Sequence, residues 1–138
     1  MGDWRSDLCR EAYAAFRRVD LEAVERLYAP DCEWDVDLAS AALGVTTYRG
    51  IDGVRALMQD VREVFPDWDP VIEELRLRGD GALLVHSRAA GTARDSEMAL
   101  EITAMGQVIE FRDGRIRRVV QSPFPPPGWD QATPLSES

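Results

Sequence analysis

The chain has 138 residues, 45% of them hydrophobic, and a formal net charge of −9 at pH 7. That is the length of one domain, with enough apolar side chain to form a core without staples. The acidic balance argues against nucleic acid and anionic membranes as partners, since both reward a basic face. All sixteen basic residues are arginine, which excludes a lysine Schiff base.

Cofactor chemistry is not expected. The sequence has no Gly-rich phosphate loop and no nucleophile elbow, and the lone histidine, His86, cannot by itself make a typical zinc site. Cys9 and Cys32 lie among apolar neighbours and read as buried free thiols in a reducing cytoplasm. No apolar run reaches membrane-spanning length, and Met1-Gly-Asp-Trp-Arg lacks the layout of a signal peptide, so a cytoplasmic location is expected.

Leu8, Ala12, Ala15, Phe16 and Val19 form a helical stripe over residues 4–18. Asp20 reads as the N-cap of a second, short helix carrying Leu21, Val24, Leu27 and Tyr28, which Ala29-Pro30-Asp31 ends. Cys32, Trp34 and Val36 alternate with Glu33, Asp35 and Asp37, the pattern of a half-buried strand. Residues 38–50 are irregular. A third helix follows, with Val54, Leu57, Met58, Val61 and Phe65 on one side and Pro66 as its stop.

Strand patterns cover 71–77, 82–90, 98–112 and 115–121. The last two meet at Asp113-Gly114, a pair that accepts the positive φ angles of a two-residue hairpin. The Pro-rich tail, 123–138, reads as an extended arm or a disordered segment beyond a single domain of residues 1–122.

Helix, helix, strand, helix and a long antiparallel meander resemble the nuclear transport factor 2-like superfamily, and within it the SnoaL-like and ketosteroid isomerase-like group. The segments carrying the likeness are Asp20–Asp31, Tyr48–Arg55, Phe65–Trp68 and Phe111–Ile116. The resemblance implies an α+β fold: a cone-shaped barrel in which three N-terminal helices pack on a curved, antiparallel or mixed sheet. It also implies a homodimer through the convex side of the sheet. The isomerases of this group use a tyrosine, an aspartate base and a protonated aspartic acid. Those positions fall here on Ala12, Val36 and Gln107, so the triad is not reproduced, although Tyr13, Asp35 and Asp37 are adjacent.

Counting along strand 82–90 places Leu84, His86 and Arg88 on the concave face, with Glu101, Met105 and Gln107 from the next strand. An arginine inside an apolar cone must be paired, and Glu101 is the expected mate. His86 would then exchange protons near neutral pH. The competing reading puts His86 and Arg88 at a wet mouth or a subunit interface. Trp34, Leu57, Met58, Val61, Leu84 and Met105 are the expected apolar wall. Trp4, Trp68 and Trp129 read as packing or tail anchors, and Glu110 and Arg112 as an outer-face ion pair or subunit contact.

The leading expectation is a protein binding a compact hydrophobic molecule that carries a carbonyl or hydroxyl. Cofactor-free proton transfer (isomerisation, cyclisation or hydration) would use His86 or Glu101 as base, Gln107 and Tyr13 as donors, and Arg88 to orient. The rival is a non-catalytic binding or dimerisation module of the same fold.

Overall fold

The computed structural model describes residues 3–36, 47–96 and 98–135. Helix α1, Trp4–Arg18, starts where the Asp3 carboxylate accepts the Arg5 N–H at 2.8 Å, and ends at Val19 in the left-handed region (φ 53). Its buried side comprises Ser6, Cys9, Ala12, Tyr13 and Ala15. Helix α2, Ala23–Leu27, is a single short stretch whose Ala23 N–H bonds the Asp20 carboxylate at 3.2 Å. Five residues do not sustain a helix alone; burial of Ala23, Val24 and Leu27 holds it.

Strand β1, Tyr28–Asp35, follows directly, four residues earlier than the Cys32 alternation suggests. It pairs antiparallel with β2, Thr47–Arg49, and parallel with β6, Arg115–Pro123, so that Trp34 stands between Tyr48 and Val119. Helix α3, Gly50–Val64, opens on Gly50 at φ 72 and buries Val54, Leu57 and Met58. The meander is β3 (Asp69–Leu77), β4 (Leu83–Thr92), β5 (Ala99–Arg112) and β6 (Arg115–Pro123). Asp113 (φ 52) and Gly114 (φ 77) make the expected tight turn between the last two.

Among the described residues the sheet runs β2-β1-β6-β5-β4-β3-β7, where β7 is Thr133–Pro134. One expectation needs correction. The sheet is mixed but not closed into a barrel, with β2 and β7 at its edges. Helix α3 enters after β1 and β2 and before the meander, in the order the sequence suggests. Register shifts in the β3–β4, β4–β5 and β5–β6 pairings break the ladders where bulges raise local twist.

The helices cover one side of this sheet, giving the main core of Val24, Leu27, Val54, Leu83, Val85, Ile109 and Val119. The alternate residues of β4 and β5 form a second cluster on the opposite side: Leu84 and Val108 with Ala82, Trp129 and Ala132. This second core exists because the C-terminal segment folds back. Phe124 N–H bonds the Ala104 carbonyl at 3.0 Å, and Leu135 N–H bonds that of Leu75 at 2.9 Å. Arg76 lies 4.3 Å over the Trp129 ring and donates to its carbonyl at 2.9 Å. Through residue 135 the tail is therefore packed structure rather than a free arm.

Candidate functional site

A cavity of about 80 Å³ lies between α1, α3 and the helix-facing side of the sheet. Its buried part is walled by Cys9, Tyr13, Tyr28, Trp34, Leu57, Gln107, Ile109 and Val119. Phe16, Val36, Val61, Trp68 and Gln121 also line it and are partly exposed, which marks the mouth. The wall is mostly apolar, with a few polar groups that meet one another.

The Tyr13 phenol donates to Gln107 Oε1 at 2.6 Å in a buried hydrogen bond. Gln107 Nε2 makes only a long contact, 3.5 Å, to Gln121 Oε1. An amide nitrogen carries two N–H groups, so donor capacity remains. Two buried polar atoms, Trp34 Nε1 and Ser87 Oγ, make no full hydrogen bond among the described residues, although they face the Tyr28 and Tyr13 hydroxyls respectively.

Every ionisable group of the described wall is held neutral at pH 7. Burial pushes the Tyr13 phenol far above its ordinary value; Cys9 adds to this, while the Ser87 hydroxyl pulls the other way. Burial likewise raises Tyr28, opposed by the neighbouring Trp34. The Cys9 thiol is pushed up to about 12, again by burial. Nothing in this set offers a base near neutral pH, and no group of three His, Cys, Asp or Glu among the described residues could hold a metal.

Six expected residues meet at this cavity: Tyr13, Trp34, Leu57, Val61, Met105 and Gln107. Met58 is buried in the main core beside it without lining it. The other four lie elsewhere: β4 presents Leu84, His86 and Arg88 on the face opposite to the one expected, and the register shift between Ser87 and Ala89 takes Glu101 of β5 out of alternation with Met105 and Gln107. Val85 pairs with Gln107 and Ser87 with Met105, and directly paired residues share a side of the sheet. Leu84 and His86 therefore stand opposite Val108 and Gly106 on the outer side. Leu84 belongs to the second core. His86 stacks on Phe124 with ring centres 4.0 Å apart. Arg88 is exposed and bonds the Glu73 carboxylate, not Glu101. Glu101 is exposed and pairs in register with Ala90.

Asp35 also points away from the cavity. Its carboxylate accepts from Arg118 Nη2 at 2.8 Å and from Thr47 Oγ1 at 3.0 Å, while Val36 takes the lining position. Asp37 lies outside the described residues. Arg112 bonds Asp31 rather than Glu110.

The sequence reading missed Tyr28, Trp68 and Gln121 as lining residues. Gln121 faces Gln107 only because a bulge follows Glu110. Counting straight back from the Arg112–Arg115 turn pairs Gln107 with Val120, whereas the observed partner is Gln121.

A wider hollow of about 420 Å³ lies at the turn end, lined by Trp4, Arg5, Asp80, Glu110, Arg112 and Arg117 among others. Its charges are of both signs, and Arg5, Asp80 and Arg112 are committed to Asp3, Arg78 and Asp31. It lacks the buried, convergent polar set of the first cavity.

Residues 9–119 match the SnoaL-like domain family. This chain belongs to that family. An uncharacterized protein of Mycobacterium tuberculosis is 31% identical to it over 118 residues, covering 82% of this chain and 83% of the other. An NTF2-like protein of unknown function from Burkholderia pseudomallei superposes with a TM-score of 0.74 at 24% identity, over 88% of this chain and 91% of that one. IdmH of Streptomyces antibioticus, a candidate polyketide cyclase, gives a TM-score of 0.69 at 25% identity, over 85% and 89%. No described helix of this SnoaL-like chain is long and apolar enough to cross a membrane.

Proposed function

We propose that this SnoaL-like domain binds one compact, uncharged, largely apolar organic molecule in the cavity beside Tyr13 and Gln107. The supporting observation is the pairing of an apolar wall with the fixed Gln107 amide, which retains donor capacity toward a carbonyl or hydroxyl oxygen. The space is smaller than the roughly 150 Å³ that holds a benzene ring in an engineered apolar cavity. The ligand is therefore either very small or a larger molecule that inserts one end and projects through the mouth.

Binding without proton transfer is favoured over the acid–base reading. The described wall holds only neutral groups, and the imidazole and carboxylate assigned to proton transfer, His86 and Glu101, stand away from it. The likeness to IdmH keeps cyclase-type chemistry as a second reading, in which the base comes from outside the described wall. Expectations of a homodimer and a cytoplasmic location remain part of the proposal.

The test is a thermal-shift and tryptophan-fluorescence screen against neutral cyclic ketones and lactones. Val61→Trp should plug the mouth and abolish ligand-induced stabilisation while leaving the unliganded protein folded. Unchanged binding in that variant would move the ligand out of this cavity.

A further inference from the structure

We infer that the Trp34 indole N–H is the second ligand-recognising donor of this cavity, and that together with the Gln107 amide it selects a ligand bearing an acceptor oxygen, a ketone or lactone carbonyl. This inference rests on the binding role proposed for the cavity. Trp34 is 8% exposed and forms part of the cavity wall; its Nε1 faces the Tyr28 hydroxyl, which also lines the cavity, but makes no full hydrogen bond to any described residue. A buried donor left unpaired is unfavourable, and in native proteins such a group has a reason, which a ligand acceptor supplies here.

The strand geometry makes the assignment specific. Trp34 lies on β1, next to Val119 of β6, and Gln107 lies across β6 paired with Gln121. The two donors therefore come from strands flanking the same β6. The Gln107 carbonyl oxygen is already taken by Tyr13, so what this residue has left to offer is its N–H groups, held only by the long contact to Gln121. An indole nitrogen donates and never accepts. The pair accordingly rewards an acceptor and gives nothing to a ligand group that only donates. A charged carboxylate would enter with no described arginine in the wall to neutralise it.

The experiment compares cyclopentanone with methylenecyclopentane, which has the same shape but no acceptor, by ligand-observed NMR titration against the native protein and Trp34→Phe. The ketone should lose roughly tenfold in affinity on Trp34→Phe, as expected for one hydrogen bond, while the hydrocarbon changes little. In the native protein, one indole N–H resonance, absent from Trp34→Phe, should move downfield with the ketone and not with the hydrocarbon. Equal losses for both ligands, or an indole resonance indifferent to the ketone, would overturn the inference and leave the cavity as a non-selective apolar site. If neither compound binds the native protein, the binding role falls and the inference with it.

Discussion

The Tyr13 phenol donates to Gln107 Oε1 at 2.6 Å, joining α1 to β5 across 94 residues of sequence. This contact links the fold to the site. It fastens the first helix over the sheet, and it decides which end of the Gln107 amide faces the remaining space. A phenol whose ionisation is strongly suppressed by burial stays a donor at every physiological pH.

Tyr13→Phe should therefore cost about 1–3 kcal/mol in urea denaturation, because the Gln107 carbonyl loses its buried partner. Replacing both ends, Tyr13→Phe with Gln107→Leu, should cost less than the sum of the single changes. A coupling energy indistinguishable from zero in that double-mutant cycle would mean the bond contributes nothing.

The order of elements was legible in the sequence, because helical stripes and alternating strands leave clear periods and Asp113-Gly114 has few alternatives as a hairpin turn. The Tyr13–Gln107 pairing was half legible. A helix turns about 100° per residue, so Tyr13 still reaches a cavity that Ala12 also lines. The side assigned to β4 was not legible. Leu83, Leu84 and Val85 are all buried, the first and third under the helices and the second under the tail, so no alternation exists to read. A tail taken for a loose arm hides the reason why the outer face of β4 is apolar. His86 was then placed inward, when in fact it carries Phe124 on its ring.

That tail makes its own prediction. Trp129 is buried against His86, Phe124 and Arg76, so Trp129→Ala should destabilise the protein by about 3–5 kcal/mol. Ending the chain at Pro123 should bare Leu84 and Val108 and promote self-association through the outer face. Sedimentation velocity on the shortened and full-length chains checks this; identical distributions would show that the tail does not screen that face.

Stability should decline on the alkaline side for a definite reason. Burial raises Cys9 from 9.0 to about 12 and Cys32 from 9.0 to about 11. The unfolded chain releases these protons from about pH 9 upward while the folded chain retains them. Their contribution is thus fully present below about pH 9 and is lost as pH rises through 11 to 12. Urea midpoints measured from pH 8 to 11 should fall, and Cys9→Ala should flatten the descent. A level profile would show that the thiols reach solvent in the native state.

The mouth of the cavity depends on a residue with no side chain. A Cβ built on Gly91 would lie 2.8 Å from Trp68 Cε3 and 3.1 Å from Phe65 Cβ, closer than packed carbons tolerate. Trp68 lines the mouth and packs on Phe65 with ring centres 5.2 Å apart. Gly91→Ala must therefore displace the indole, at about 1–3 kcal/mol for overpacking. Because Gly91 sits in β4 with no positive φ, backbone strain does not confuse the result. The variant should fold, show altered Trp68 fluorescence and change ligand association rates more than Tyr13→Phe does. Kinetics identical to those of the native protein would place the entrance elsewhere.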